Sequence, residues 1–167
     1  MRLALALFAL CGLVTTQTAP APSLDETLTW IKNKLNTEAG WKPDGMSDSH
    51  ISHAKFDGCT LSYDDETRAS NNGEVFFQFK VHVTFRLADV DPDRIETERT
   101  PKNVLVVLHT RGNKEIVQTI GSIAGDSAKT VKVDADRIAV ESPELADRLA
   151  KAFRHAARLC AQKNSSG

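Results

Sequence analysis

Five histidines are spread along the chain, and they are the side chains best suited to acid–base or metal chemistry near neutral pH. A protein zinc site needs three or four ligands at about 2 Å from the ion. No H-E-x-x-H, C-x-x-C, G-x-S-x-G or phosphate-cradling glycine loop supplies a recognisable set. His82 and His109 lie in two expected strands, so a shared surface site is the metal arrangement to weigh; scattered surface histidines are the simpler expectation. His50 and His53 flank a possible strand start, where i, i+3 spacing would serve one ion only if the segment were helical. "SHAK", Ser52 to Lys55, satisfies the S-x-x-K string of penicillin-recognising enzymes, with Lys129-Thr130 downstream. Those enzymes also need the serine at a helix start, an S-D-N element and a glycine where Val131 stands. Asp89, Asp91 and Asp93 alternate like a calcium loop but lack its sixth-position glycine and twelfth-position glutamate, which leaves a turn. No catalytic residue, metal or cofactor is therefore expected.

The cysteines carry a firmer message. Cys11 lies in an N-terminal apolar run, whereas Cys59 and Cys160 belong to the body of the chain. At about 100° per residue, Leu145, Leu149, Ala152, Phe153, Ala156, Leu159 and Cys160 fall in one helical stripe roughly 120° wide. Arg148, Lys151, Arg154 and Arg158 fall outside it, and His155 lies at its border. In "CTLSY", Cys59, Leu61 and Tyr63 alternate along the inner face of a strand. Two inward thiols, one early in the fold and one on its last helix, predict a Cys59–Cys160 disulfide; two separate buried thiols are the alternative.

The compartment fits that pairing. "MRLALALFALCGLVTTQTAPAPS" has the charged start, apolar run and small polar end of a secretory signal peptide, residues 1–19, cut after Ala19 or Thr16. The apolar run is shorter than the roughly 20 residues a bilayer span needs. Export, to a periplasm or out of the cell, would place both cysteines where disulfides persist. The remaining chain, about 150 residues, is the size of one domain. Over the full chain 21 basic residues balance 22 acidic ones, for a net charge of −1, and removal of Arg2 with the signal changes this little. Such a balance supplies no field toward nucleic acid or an anionic membrane, so neither is an expected partner. Asn164-Ser165-Ser166 is a glycosylation sequon that matters only in a eukaryotic secretory pathway.

Elements must hold these residues in place. "SLDETLTWIKNKLN" reads as a helix, with Ser23 and Glu26 as a capping box and Leu24, Leu28, Ile31 and Leu35 on one face. Gly40, Pro43 and Gly45 break it. "EVFFQFKVHVTFRL" then alternates: Val75, Phe77, Phe79, Val81, Val83, Phe85 and Leu87 point one way, and Phe76, Gln78, Lys80, His82, Thr84 and Arg86 the other. From Val75 to Leu87 it would extend roughly 43 Å at about 3.3 Å per residue, long enough to bend. "NNG" turns it back on the Cys59 strand. "ADVDPDR" reads as a turn. Strands are expected at 94–99, 104–110 and 115–120, with "TPKN" and "RGNK" as hairpin links, and "TVKV" and "RIAV" as a last hairpin around "DAD". Ser142 caps the final helix, with Pro143 in its first turn, and the tail 164–167 frays.

One helix, about seven antiparallel strands and a closing helix define an α+β class. Its expected divisions are a helix and loop over 20–49 and a barrel with its helix over 50–163. Strands followed by one amphipathic helix resemble the pleckstrin-homology-like superfold over about residues 50–162. That resemblance implies a partly closed barrel capped by the C-terminal helix. A cone-shaped sheet around helices would need several helices before its strands. Phosphoinositide-binding members of the resembled group use basic residues between the first two strands. The matching "DDETRASNNGE" holds Asp64, Asp65, Glu66 and Glu74 against Arg68, which argues against a lipid headgroup. "WIKNKL" and "HAARLC" also resemble segments of small exported bacterial proteins without assigned activity, which brings no site residues. The functional expectation is an exported, non-enzymatic domain that binds a protein, a peptide or a small apolar ligand. Two alternatives stand beside it: a small hydrolase or metal-dependent enzyme using His82, His109 and nearby carboxylates, and a structural subunit of an envelope complex.

Overall fold

The computed structural model describes residues 21–41, 47–71, 74–112, 114–122 and 129–165, so the expected signal peptide lies outside the described residues. The capping box is present: Ser23 Oγ accepts the Glu26 N–H at 3.3 Å, and Glu26 Oε2 accepts the Ser23 N–H at 2.8 Å. Helix α1 (Leu24–Glu38) follows and buries Leu28, Ile31 and Leu35. Two strands that the periodicity does not announce come next, β1 (Gly40–Trp41) and β2 (Ser47–Asp57). Gly40 has φ +127, and a Cβ there would meet the Ser49 carbonyl oxygen at 2.2 Å, so the close approach of β1 to β2 requires glycine.

Strands β3 (Thr60–Asn71) and β4 (Glu74–Arg86) form the long hairpin the alternation predicts. A 3-10 turn, Leu87–Asp89, leads to β5 (Val90–Arg99), β6 (Val104–Thr110), β7 (Ile116–Ser122), β8 (Lys129–Val133), β9 (Ala135–Val140) and helix α2 (Pro143–Ser165). The class is α+β, with a helix at each end and all pairings antiparallel. Two sheets form among the described residues, ordered β1-β2-β3-β4-β7-β8 and β5-β6-β9. They touch through the isolated Ala39–Val140 bridge and do not close on each other.

Several local expectations change. "DDETR" is not a loop: Asp64, Asp65 and Glu66 sit in register opposite His82, Val81 and Lys80 within the hairpin. "VDPD" is not only a turn, because β5 begins at Val90; its register breaks between Val90 and Ile95, which accommodates Pro92 on a sheet edge. "RGNK" and "DAD" are not hairpin links. Each carries the chain from one sheet to the other, since β7 and β8 pair together while β9 returns to β6. Thr110 holds both crossings. Its N–H donates to the Asp134 carbonyl at 2.9 Å, and its hydroxyl contacts the Lys114 and Asp134 carbonyls at 2.7 and 3.1 Å. Loop length alone does not distinguish a hairpin from such a crossing. At the C-terminus α2 continues through Ser165 rather than fraying at 164.

Helix α2 lies against β5, β6, the 3-10 turn and α1. Most of its expected stripe is buried, namely Leu145, Leu149, Phe153, Ala156 and Cys160, while Ala152 and Leu159 are half-buried. Cys59, in the turn before β3, is bonded to Cys160, with Cα atoms 5.8 Å apart and a sequence separation of 101. The Cys59 carbonyl also accepts the Leu87 N–H at 2.8 Å, so the turn under α2 and the root of β3 are tied together. Closing a loop of that length contributes on the order of 4 kcal/mol by restricting the unfolded chain.

Candidate functional site: a carboxylate cavity and an apolar shelf on one sheet face

The two faces of the β3–β4 hairpin hold different chemistry. On the inner face Tyr63, Asp65, Val81 and Val83 point toward β9, because alternate residues share a face. With Gln118 of β7, Val133 of β8, and Asp136 and Arg137 of β9, they line a cavity of about 310 Å³. Asp136 is 3% exposed. Tyr63 Oη donates to Asp136 Oδ2, Gln118 Nε2 donates to Oδ1 across a long 3.4 Å, and the Arg137 N–H also donates to the carboxylate. Burial pushes the Asp136 carboxyl up to about 6, and the Asp65 charge adds to the rise, against the downward pull of the Tyr63 and Arg137 hydrogen bonds. Burial likewise raises Asp65, opposed by the Ser49 hydroxyl, which donates to Oδ1 at 2.7 Å, and by His50. Burial, then Asp136, raises the Tyr63 phenol well above its ordinary value.

From this cavity the same face runs outward as an uncovered shelf. Val81 stands opposite Asp65 on one side and Ile120 on the other, so it belongs to both cavity and shelf. Beyond it lie Phe79 and Phe77, with ring centroids 5.3 Å apart. Phe77 and Ile120 are 52% and 39% exposed; Val75, expected on the same side, pairs with Ser70 beyond a bulge between Ala69 and Ser70, which turns it to the other face. Large apolar side chains grouped in the open on one sheet face mark a binding surface more often than a solvated one.

The outer face is a lattice of charge. His82 Nδ1 lies 2.7 Å from Asp64 Oδ1, and His53 Nδ1 lies 3.1 Å from Asp64 Oδ2. Lys80 Nζ bridges Glu66 at 2.8 Å and Asp64 at 3.6 Å, while His50 and Arg68 reach Glu66 at 3.8 and 3.5 Å. Burial works to raise Asp64, but the His82 hydrogen bond and the Lys80 charge hold it below the ordinary value. The Lys80 hydrogen bond lowers Glu66. Thr84 Oγ1 lies 3.3 Å from His82 Nε2, so Asp64, His82 and Thr84 follow the order of a hydrolytic relay. Thr84 is paired in register to Ser62 and Val117, in the middle of the sheet. Hydrolysis by such a relay would also need a substrate pocket and oxyanion donors beside Thr84.

The remaining sequence candidates separate. His109 contacts Arg94 and Glu96 at 3.4 Å each, on the other sheet from His82, so the two histidines share no partner. Among the described residues no cluster of three or more histidines, cysteines and carboxylates has the geometry to hold a metal. Ser52 and Lys55 lie in β2 at a register shift, where His53 has φ 54, rather than at a helix start. His155 Nε2 donates to the Pro22 carbonyl at 2.8 Å, tying α2 to the chain before α1. That contact borders a hollow of about 510 Å³ between the helices, beside Trp30 and Ala152, which holds no buried titratable group.

Sequence reading missed Asp65, Gln118 and Asp136 as site residues. A signal existed: Asp65 continues the inward register of Leu61 and Tyr63, and Asp136 precedes Ile138 and Val140 on theirs. A carboxylate on an apolar register is the mark of a buried acid. No family model, curated protein or solved structure matches the chain.

Proposed function

We propose that the chain is an exported, non-enzymatic binding domain that takes its ligand on the inner face of the six-stranded sheet. One observation carries this reading: exposed Phe77 and Ile120 continue through Val81 into a cavity holding two hydrogen-bonded carboxylates, Asp136 buried and Asp65 half-buried. An apolar surface with a few convergent polar groups is the usual composition of a ligand site. Export is supported by the N-terminal sequence pattern and by the Cys59–Cys160 pair. No described helix is long and apolar enough to cross a membrane. The succession of strands closed by one helix remains the basis of the likeness to pleckstrin-homology-like domains.

Nile red, a neutral dye that brightens on apolar surfaces, tests the shelf. The disulfide-bonded domain should enhance its emission severalfold, and Phe77→Ser with Ile120→Ser should remove most of that enhancement while leaving the melting temperature nearly unchanged. Emission equal to that in buffer for the unsubstituted protein would reject the site. N-terminal sequencing of the chain purified from its native host should begin at Gln17 or Pro20; an intact Met1 would reject export.

A further inference from the structure

Resting on that reading, we infer that the occupant is a small amphiphilic amine. Its ammonium sits between Asp65 and Asp136, and its apolar body runs over Val81 toward Phe79 and Phe77. The cavity is the size of the smaller ligand sites, at about 310 Å³. Its polar contributors are unevenly charged: Asp65, Asp134 and Asp136 line it against Arg137. An anionic head would face three carboxylates.

Room remains on both acids, Asp136 buried and Asp65 half-buried. Asp65 receives Ser49 on Oδ1, and Asp136 receives Tyr63, the Arg137 N–H and, across 3.4 Å, Gln118. A carboxylate has about four acceptor sites, so each can take a further donor without losing Ser49 or Tyr63. A cation provides two or three donors and neutralises the repulsion between the two acids. Length also matches. Val81 and Phe77 are separated by four positions on one strand face, roughly 13 Å at about 3.3 Å each. An alkyl chain of about eight carbons covers most of that distance. The apolar shelf alone would accept any such chain, and the carboxylates add the selection for its head.

Binding of this kind is coupled to protons. The groups facing Asp136 are Tyr63 and Asp65 from β3, Gln118 from β7, and Asp134 and Arg137 flanking it at the start of β9, with Ser49 and His50 of β2 behind Asp65. The raised carboxyls hold protons more readily than ordinary ones, and an ammonium displaces them. Affinity for the amine should therefore fall as pH drops through 6, whereas affinity for an uncharged analogue should not.

The experiment is calorimetric titration of the disulfide-bonded domain with octylammonium, octanol and octanoate at pH 7, below their aggregation limits. Octylammonium should bind at least tenfold more tightly than either analogue, and that preference should fall at least fivefold at pH 5. Asp65→Asn, which keeps the shape and an acceptor for Ser49, should reduce the preference over octanol to less than threefold. Phe77→Ser should weaken octanol and octylammonium by similar factors. Equal affinities for octylammonium and octanol in the unsubstituted protein would overturn the amine assignment and leave the shelf standing. Silence of all three compounds would overturn both. The comparison within the unsubstituted protein does not depend on either variant folding.

Discussion

Asp64 and Asp65 are neighbours on β3, yet their environments drive them in opposite directions. Asp64 faces outward among His53, Lys80 and His82, and those partners hold its carboxyl below the ordinary value. Asp65 faces inward, and burial lifts it despite Ser49 and His50. The same chemical group, one residue away, thus resists protonation on one face and invites it on the other. Strand geometry is the cause, because each step along a strand reverses the side on which a side chain lies. The outer face can accumulate charge since solvent and partners compensate it. On the inner face a charge must be hydrogen-bonded within the protein, as Asp136 is by Tyr63 and Gln118.

The largest disturbance to this contrast comes from opening the crosslink at the root of β3. Cys59→Ala with Cys160→Ala should destabilise the domain by about 2–5 kcal/mol, measured by urea unfolding, and should affect both faces alike. Thiol titration of the unfolded, non-reduced protein should find no free thiol at either position, and two free thiols would refute the bridge.

Asp136→Asn separates the faces. The folded carboxyl at about 6 lies above its ordinary 3.8, so the folded state holds the proton over that interval and stability falls as pH rises through it. The shift corresponds to about 3 kcal/mol between pH 4 and pH 7. The asparagine variant should lose most of that slope and gain stability at pH 7. An unchanged slope would mean that another group on the inner face carries it.

Lys80→Ala should produce the smallest effect. Asp64 and Glu66 are lowered in the fold, so their contribution is present at neutral pH and disappears as pH falls below about 4. Lys80 is partly exposed and its pairs are screened, so the expected loss is under about 1 kcal/mol. It should vanish in 1 M salt, where screening is nearly complete. A loss that persists in salt would show that the outer lattice is structural rather than solvated.

Much of this architecture was legible in residue spacing. The capping box of α1, the stripe on α2, the alternation of β4 and the facing of Cys59 toward Cys160 are all local patterns with one structural meaning. The partition of strands between sheets was not legible. "RGNK" and "DAD" have hairpin lengths, and what makes them crossings is the distant contact of Thr110 with Asp134. β2 was hidden because its register shift between Ser52 and Lys55 interrupts the alternation that would announce it. The cavity was half legible: spacing put Tyr63 and Val83 on the inner face, but nothing local placed Asp136 opposite them.

Two sheets that fail to close leave open margins, and open margins invite unwanted polymerisation. Here β5 carries Pro92 and a charged run from Arg94 to Arg99, β8 carries Lys129 and Lys132, and the two-residue β1 shields part of β2. Those residues discourage a stray strand from annealing to the rim. Self-association, where it occurs, is thereby steered away from backbone pairing and onto the phenylalanine-bearing surface, so an amine that occupies that surface would also keep copies of the domain apart.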